Sequence, residues 1–168
     1  MNTPAPAPIN VDSATLVKPT RWHVPSERML LSYGAAAAPL ALVKVQREDF
    51  DVGAELDALT RGRPGVGGMT SFLGLVRDIH GDARVGAMTL EHYPGMTEKA
   101  IGKIIDEARG RWQIYDTLVI HRIGTLAPLD QIVLVVVTSA HRGDAFAACE
   151  FIMDYLKTQA PFWKKEKT

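Results

Sequence analysis

Apolar and polar residues are unevenly spaced along this chain, and the spacing predicts its elements. The run from Leu42 to Gln46 reads as a strand. Asp51 is placed to cap a short helix from Val52 to about Leu59. A glycine-rich turn follows from Gly62 to Gly68, then a strand from Met69 to Val76 that ends at Arg77. Another strand spans Ala87 to His92, and Pro94 and Gly95 lead into a helix. In that helix Ala100, Ile101, Ile104, Ile105, Ala108 and Trp112 form one apolar stripe, with Lys99, Lys103, Asp106 and Glu107 mostly outside it. Leu118 to His121 is a strand, and the β-branched run Ile132 to Val137 reads as a buried central strand. A second long helix is predicted from about Asp144 to Thr158. Pro161 stops it, because the residue before a proline is pushed out of helical geometry. Phe162 to Lys165 is then a short extended tail.

This order predicts an α+β fold. Strands joined by short turns must pair antiparallel or lie apart. The expected core is therefore a mixed, largely antiparallel sheet with two long helices and one short one. Residues 1–40 read differently, with Pro4, Pro6, Pro8, Pro19, Pro25 and Pro39 and no sustained period. They are expected to be an extension, flexible or draped over a single domain of residues 41–168. At 168 residues the chain can bury roughly two-thirds of its unfolded surface without a disulfide or metal staple.

Charge changes the picture mainly by exclusion. Lys plus Arg and Asp plus Glu are equal at 19 each, which offers no general attraction to nucleic acid or anionic membrane, so any anion site must be local. Cys149 is the single cysteine, so no intrachain disulfide is possible. Met1 to Asn10 lacks the pattern of a secretory signal. The apolar run Gly34 to Val43 is interrupted by Pro39 and too short to span a bilayer. A cytoplasmic location is the expectation.

Four places hold candidate chemistry. The turn Ser139-Ala140-His141-Arg142-Gly143-Asp144 joins the central strand to a helix N-terminus, where free N–H groups, the helix dipole and the side chains of His141 and Arg142 suit a phosphate or carboxylate. The alternative is a solvated turn. Lys157 lies at the C-terminal end of the same helix, where a cation is favoured by about 0.3–1 kcal/mol whatever its function. Lys164 lies in the tail, where extended geometry puts it on one face with Phe162, and Trp163 and Lys165 on the other. A lysine beside apolar walls can act as base or nucleophile; it can equally be a solvated end. Arg77 ends the strand that carries Phe72 and can grip an anion with its fork of donors, or simply pair with a surface acid such as Asp78. The segment Gly65 to Thr70 matches neither a dinucleotide fingerprint nor a P-loop. The five histidines (His23, His80, His92, His121 and His141) lack HExxH spacing, and one cysteine cannot build a cysteine-based zinc site, so no metal is expected. Cys149 reads as a packed mid-helix residue.

Four stretches resemble the catalytic (large) subunit family of molybdopterin synthase. They are Thr89 to Ala100 (Thr-Leu-Glu-His-Tyr-Pro-Gly-Met-Thr-Glu-Lys-Ala), Val119 to Gly124, Ser139 to Arg142, and Met153 to Thr158 running on to Ala160 to Lys164. They keep the family's order and similar spacing across roughly Val43 to Glu166. The resemblance implies a hammerhead-like α/β fold and an enzyme, a sulfurtransferase with no cofactor of its own. That enzyme converts cyclic pyranopterin monophosphate (precursor Z) into molybdopterin. It implies that sulfur arrives as a thiocarboxylate on the C-terminal Gly-Gly of a small ubiquitin-like subunit. It also implies a homodimer of large subunits with one small subunit at each end, a heterotetramer. By this resemblance Lys157 and Lys164 are catalytic, and Phe72, Arg77, His141, Arg142 and Glu166 bind substrate. An extension of about 40 residues ahead of the domain is unusual for the family.

One geometric expectation follows. Asp144 and Lys157 are about 20 Å apart along a helix rising 1.5 Å per residue. A small pterin cannot readily touch both ends. If His141, Arg142 and Lys157 serve one site, the first two come from a neighbouring subunit, and the site lies near a dimer interface. Two rival readings remain beside the synthase: a non-catalytic module that docks a ubiquitin-like tail, for which Lys157 is dispensable, and an unrelated phosphate-ester enzyme, which calls for a metal carboxylate cluster or a P-loop.

Overall fold

The computed structural model describes residues 15–16, 39–80, 83–84 and 86–167. Most of the proline-rich extension therefore lies outside the described residues. The elements are strands β1 (Thr15–Leu16), β2 (Ala41–Gln46), β3 (Gly68–Leu75), β4 (Ile79–His80), β5 (Ala83–Arg84), β6 (Ala87–His92), β7 (Ile114–Arg122), β8 (Gly124–Leu126), β9 (Gln131–Ser139) and β10 (Phe162–Lys167). The helices are α1 (Val52–Thr60), α2 (Met96–Arg111) and α3 (Arg142–Thr158).

The main sheet runs β1-β2-β7-β9-β3. Only β2 and β7 pair parallel within it; the other pairs are antiparallel. A second sheet, β10-β6-β8, is antiparallel throughout, and β4 pairs antiparallel with β5. The expected mixed, largely antiparallel sheet with two long helices and one short helix is what forms. The tail after Pro161 is more than an extended end: it is a six-residue strand pairing with β6 from Phe162 opposite His92 to Lys167 opposite Ala87. β7 also starts earlier than its apolar run suggested, because Tyr115, Asp116 and Thr117 are buried despite two of them being polar.

Alternation along β7 and β9 divides the core into two faces. Val119, Val133, Val135 and Val137 pack with Ile101, Ile105 and Ala108 of α2 and Ala148, Cys149, Ile152 and Leu156 of α3. Leu118, Ile120, Leu134 and Val136 face the other way, against Leu59, Leu56 and Val52 of α1. This is the period-two pattern of a sheet covered on both sides. Each fully buried side chain of this kind contributes about 1.5–3 kcal/mol.

Local chemistry sets the ends of the helices. Asp51 accepts a hydrogen bond from the Ala54 N–H at 3.0 Å, capping α1 as expected. At α2, Gly95 takes a φ of 81°, which its lack of a Cβ permits, and its N–H donates to Glu98 at 2.7 Å. The buried Thr97 accepts from the Tyr93 N–H at 3.2 Å and donates to the Pro161 carbonyl at 3.3 Å, tying the start of β10 to the start of α2. Buried ions are paired: Lys44 with Glu55 at 3.1 Å, and Asp116 with Arg63 at 3.3 Å and the Leu40 N–H at 2.7 Å. No helix among the described residues is long and apolar enough to cross a membrane.

Candidate functional site

α3 leaves the end of β9 and runs back along it, so its two ends lie over opposite ends of the sheet. At its C-terminal end a cavity of about 300 Å³ is bounded by the start of β9 (Ile132, Val133), the last turn of α3 and the first residues of β10. Lys157 and Lys164 both line it, one from the helix and one from the strand. Neither has a carboxylate partner among the described residues. The alternation expected of the tail holds. Phe162 and Lys164 share the cavity face, while Trp163 turns away, meets the Tyr93 ring edge-on at 4.8 Å and donates from Nε1 to Glu91 at 2.8 Å.

His121 is the residue that sequence reasoning passed over at this site. It lies on β7 two residues beyond Val119, hence on the face that α2 and α3 cover. It is 8% exposed and its ring stacks on Phe162 at 3.8 Å, 17° from parallel. Its Nδ1 lies 2.8 Å from the Arg122 carbonyl oxygen. A carbonyl only accepts, so Nδ1 carries the proton in the neutral ring. Burial pulls its pKa down from 6.5 to about 4, with His92 pushing the same way and the Arg122 bond opposing. The ring is therefore neutral at pH 7. Two signals pointed to it: its place in the Val119 to Gly124 stretch, and the two-residue period of a strand buried on both faces.

Phe72 and Arg77 lie towards the same end. Phe72 pairs with Val135 and so faces the α3 side of the sheet. Its ring edge and Ile132 crowd the same space above Gly74, where an added Cβ would stand 2.6 Å from Val133 Cγ1. Phe72 is 45% exposed on an edge strand. Arg77 is exposed just past β3, next to Val76, whose N–H donates to the Asp130 carbonyl at the approach to β9. Glu166 pairs through its backbone with Met88, two residues beyond Lys164; its side chain lies outside what is described.

His141 and Arg142 are not brought to this cavity. They sit at the other end of β9, where Gly68 pairs with Ser139, whereas Leu75 pairs with Gln131 near the cavity. Sixteen residues of helix separate His141 from Lys157, about 24 Å at 1.5 Å per residue. His141 occupies the N-cap position of α3 without a side-chain cap bond. His141, Arg142 and Gly143 are all exposed. The turn itself is firmly held: Ser139 Oγ donates to the Gln113 carbonyl at 2.7 Å and accepts the His141 N–H at 3.2 Å. A Cβ at Gly67 would stand 2.1 Å from the Ala140 carbonyl oxygen, so the glycine-rich turn presses directly on it. Cys149 is buried mid-helix, its thiol pushed up to about 11 by burial, which leaves it protonated and unreactive at neutral pH.

The sequence pattern of the MoaE protein family matches residues 45–159. A relative named molybdopterin synthase catalytic subunit, from Ralstonia nicotianae, is 64% identical over 126 residues, covering 75% of this chain and 72% of its own. Among solved structures, a molybdopterin biosynthesis MoaE protein from Burkholderia ambifaria matches with a TM-score of 0.69 at 55% identity, covering 79% of this chain and 84% of that one. At 19% identity and a TM-score of 0.62, a protein–protein complex of subunits 1 and 2 of molybdopterin-converting factor from Helicobacter pylori shares the fold over 74% of this chain and 83% of that one. With the family pattern matched over most of the described domain, the chain belongs to the MoaE protein family of molybdopterin synthase catalytic subunits.

Proposed function

We propose that this chain is the sulfur-transferring subunit of a molybdopterin synthase and that the cavity between β10, β9 and the end of α3 is its reaction site. The substrate is cyclic pyranopterin monophosphate. The sulfur comes from the C-terminal thiocarboxylate of a small ubiquitin-like subunit, and the product carries the dithiolene of molybdopterin. The observation that carries this reading is the convergence of Lys157 and Lys164, from different elements, on one small cavity.

The chemistry needs such a pair. As the thiocarboxylate sulfur bonds to a substrate carbon, an oxygen substituent leaves and requires a proton. A lysine ammonium supplies it and steadies the negative charge that develops, a form of acid catalysis contributing roughly 10²–10⁴-fold. Water then cleaves the resulting thioester, leaving the sulfur on the pterin and a carboxylate on the tail, and a second thiocarboxylate delivers the second sulfur. The second ammonium holds the anionic partner, the tail carboxylate or the cyclic phosphate. Arg77 and Phe72, at the cavity's end of β3, fit a phosphate grip and an apolar wall for the pterin. Glu166, two residues past Lys164 on β10, takes the substrate-binding place the family gives it. The protein adds no metal or cofactor to this reaction.

His141 and Arg142 complete the anion site from a neighbouring subunit. The exposed edge strand β3, with Met69, Phe72, Leu73 and Leu75 at 37–46% exposure, and Phe146 on α3 at 63%, supports a homodimer. With one small subunit at each end, the assembly is a heterotetramer. A cytoplasmic location belongs to this reading.

Sulfur transfer in a reconstituted mixture tests it: this chain, a thiocarboxylated small subunit and precursor Z, with Lys157→Ala beside the wild type. Molybdopterin formed by the wild type and nearly lost in the variant is the expected result. A folded wild type that binds the small subunit yet forms no product refutes the catalytic reading in favour of a docking module.

A further inference from the structure

We infer that His121 contacts the substrate directly, accepting an N–H of the pterin through an Nε2 lone pair that opens on the Lys157–Lys164 cavity. This rests on the cavity being the reaction site. Three observations place the acceptor. The Nδ1–H bond to the Arg122 carbonyl at 2.8 Å commits the proton to one side of the ring, so the lone pair lies on Nε2. The ring is held flat against Phe162 at 3.8 Å, so its orientation does not depend on a ligand. Among the described residues Nε2 has no hydrogen-bond partner and is not one of the buried polar atoms left unpartnered, while the ring itself lines the cavity. The open nitrogen therefore faces that space.

The chemistry of the other walls gives this acceptor its importance. Lys157 and Lys164 only donate. Thr158 Oγ1 is turned back onto its own helix, donating to the Asp154 carbonyl at 2.7 Å. The remaining lining side chains are apolar, among them Leu90, Ile132 and Met153. A reduced pterin carries several ring N–H donors, and a donor pressed against a wall that gives it no acceptor, where water cannot reach it, is disfavoured. Among the described lining side chains, His121 is the one that offers a ring-nitrogen acceptor. Burial, with the neighbouring His92 pushing the same way, keeps the ring from taking a second proton and losing that role.

The test compares His121→Phe and His121→Gln with the wild type. Binding of precursor Z is measured by calorimetry in the complex with a small subunit ending in an ordinary carboxylate, and turnover is measured with the thiocarboxylated form. Phenylalanine keeps the stack on Phe162 and removes the acceptor. It is expected to weaken binding and raise KM roughly 10–100-fold, with a smaller change in kcat. Glutamine brings an amide oxygen to the place of Nε2 and is expected to recover most of the loss. If the phenylalanine variant does not fold, asparagine serves instead, since its oxygen reaches only the Nδ1 position and it should bind as poorly as a non-acceptor. Wild-type affinity in His121→Phe, or glutamine no better than phenylalanine or asparagine, overturns the assignment. Active wild type with an unaffected His121→Phe refutes this inference alone, whereas inactive wild type refutes the reading of the cavity itself.

Discussion

Two His-Arg pairs sit at opposite ends of the same layer, in opposite surroundings. His121-Arg122 lies in a strand. Alternation turns the histidine into the cavity and the arginine outward, where Arg122 donates to the carbonyls of Arg47 and Gln131 at 3.1 Å each. His141-Arg142 lies at a helix start, where both side chains are exposed and the first-turn N–H groups are open. The first pair is walled in and finished within one chain. The second is a set of donors on a firmly held turn that no described residue of the chain covers. The same dipeptide is thus held in a covered strand in one place and displayed on an exposed helix start in the other. What differs is only which element carries it and how much protein covers it.

The largest effect belongs to the finished end. Lys157→Ala should reduce turnover by roughly 10²–10⁴-fold. Its side chain is exposed, so thermal unfolding should be almost unchanged. A loss of activity that merely tracks a loss of stability would sink the catalytic assignment. At the open end, Arg142→Ala removes charge-assisted hydrogen bonds worth about 1.5–3 kcal/mol, so kcat/KM should fall roughly 10–150-fold.

Mixing the two impaired variants decides whether the ends cooperate across subunits. After subunit exchange, a mixed dimer of Lys157→Ala and Arg142→Ala chains contains one site with both wild-type residues if each site draws on two chains. Activity should then recover to roughly a quarter of wild type. Sites confined to one chain would show no recovery, and that outcome would overturn the shared-site arrangement.

A pH experiment sharpens the contrast in burial. The folded pKa of His121 is depressed to about 4, below its ordinary 6.5. Above pH 6.5 both folded and unfolded chains hold it neutral, and it leaves stability unchanged. Below that, the unfolded chain takes up a proton that the native chain refuses, so stability falls as pH drops from 6.5 to about 4. The limit of that loss is about 3 kcal/mol. Buried Asp116, whose carboxyl is raised by burial, acts in the opposite sense, so the diagnostic is a difference. Urea titrations at pH 7 and pH 4.5 should show a smaller acid loss in His121→Phe than in wild type; equal losses would mean the ring is not buried as neutral imidazole. The smallest effect is expected at an exposed ion pair that lines neither end. Breaking the exposed Arg111–Glu107 pair on α2 with Glu107→Gln should change stability by under about 0.5 kcal/mol and leave turnover alone.

Much of the architecture was legible from pattern because helix and strand periods are local. The stripe on α2, the β-branched run of β9, the Asp51 cap and the stop at Pro161 each act within a few residues, so reading along the chain found them. The facing of Phe162 and Lys164 was legible for the same reason. Spacing alone even showed that His141 and Lys157 stand a helix length apart. The pairing of β10 with β6, the early start of β7 at polar but buried residues, and the recruitment of His121 were decided only in three dimensions. Each depends on contacts between segments distant in the sequence: Phe162 reaches His121 across 41 positions. A histidine's neighbours, and hence its charge, are properties of that packing. The residue types were written in the chain; whether His121 is a solvated cation or a fixed neutral acceptor was settled when β10 and α3 closed over it.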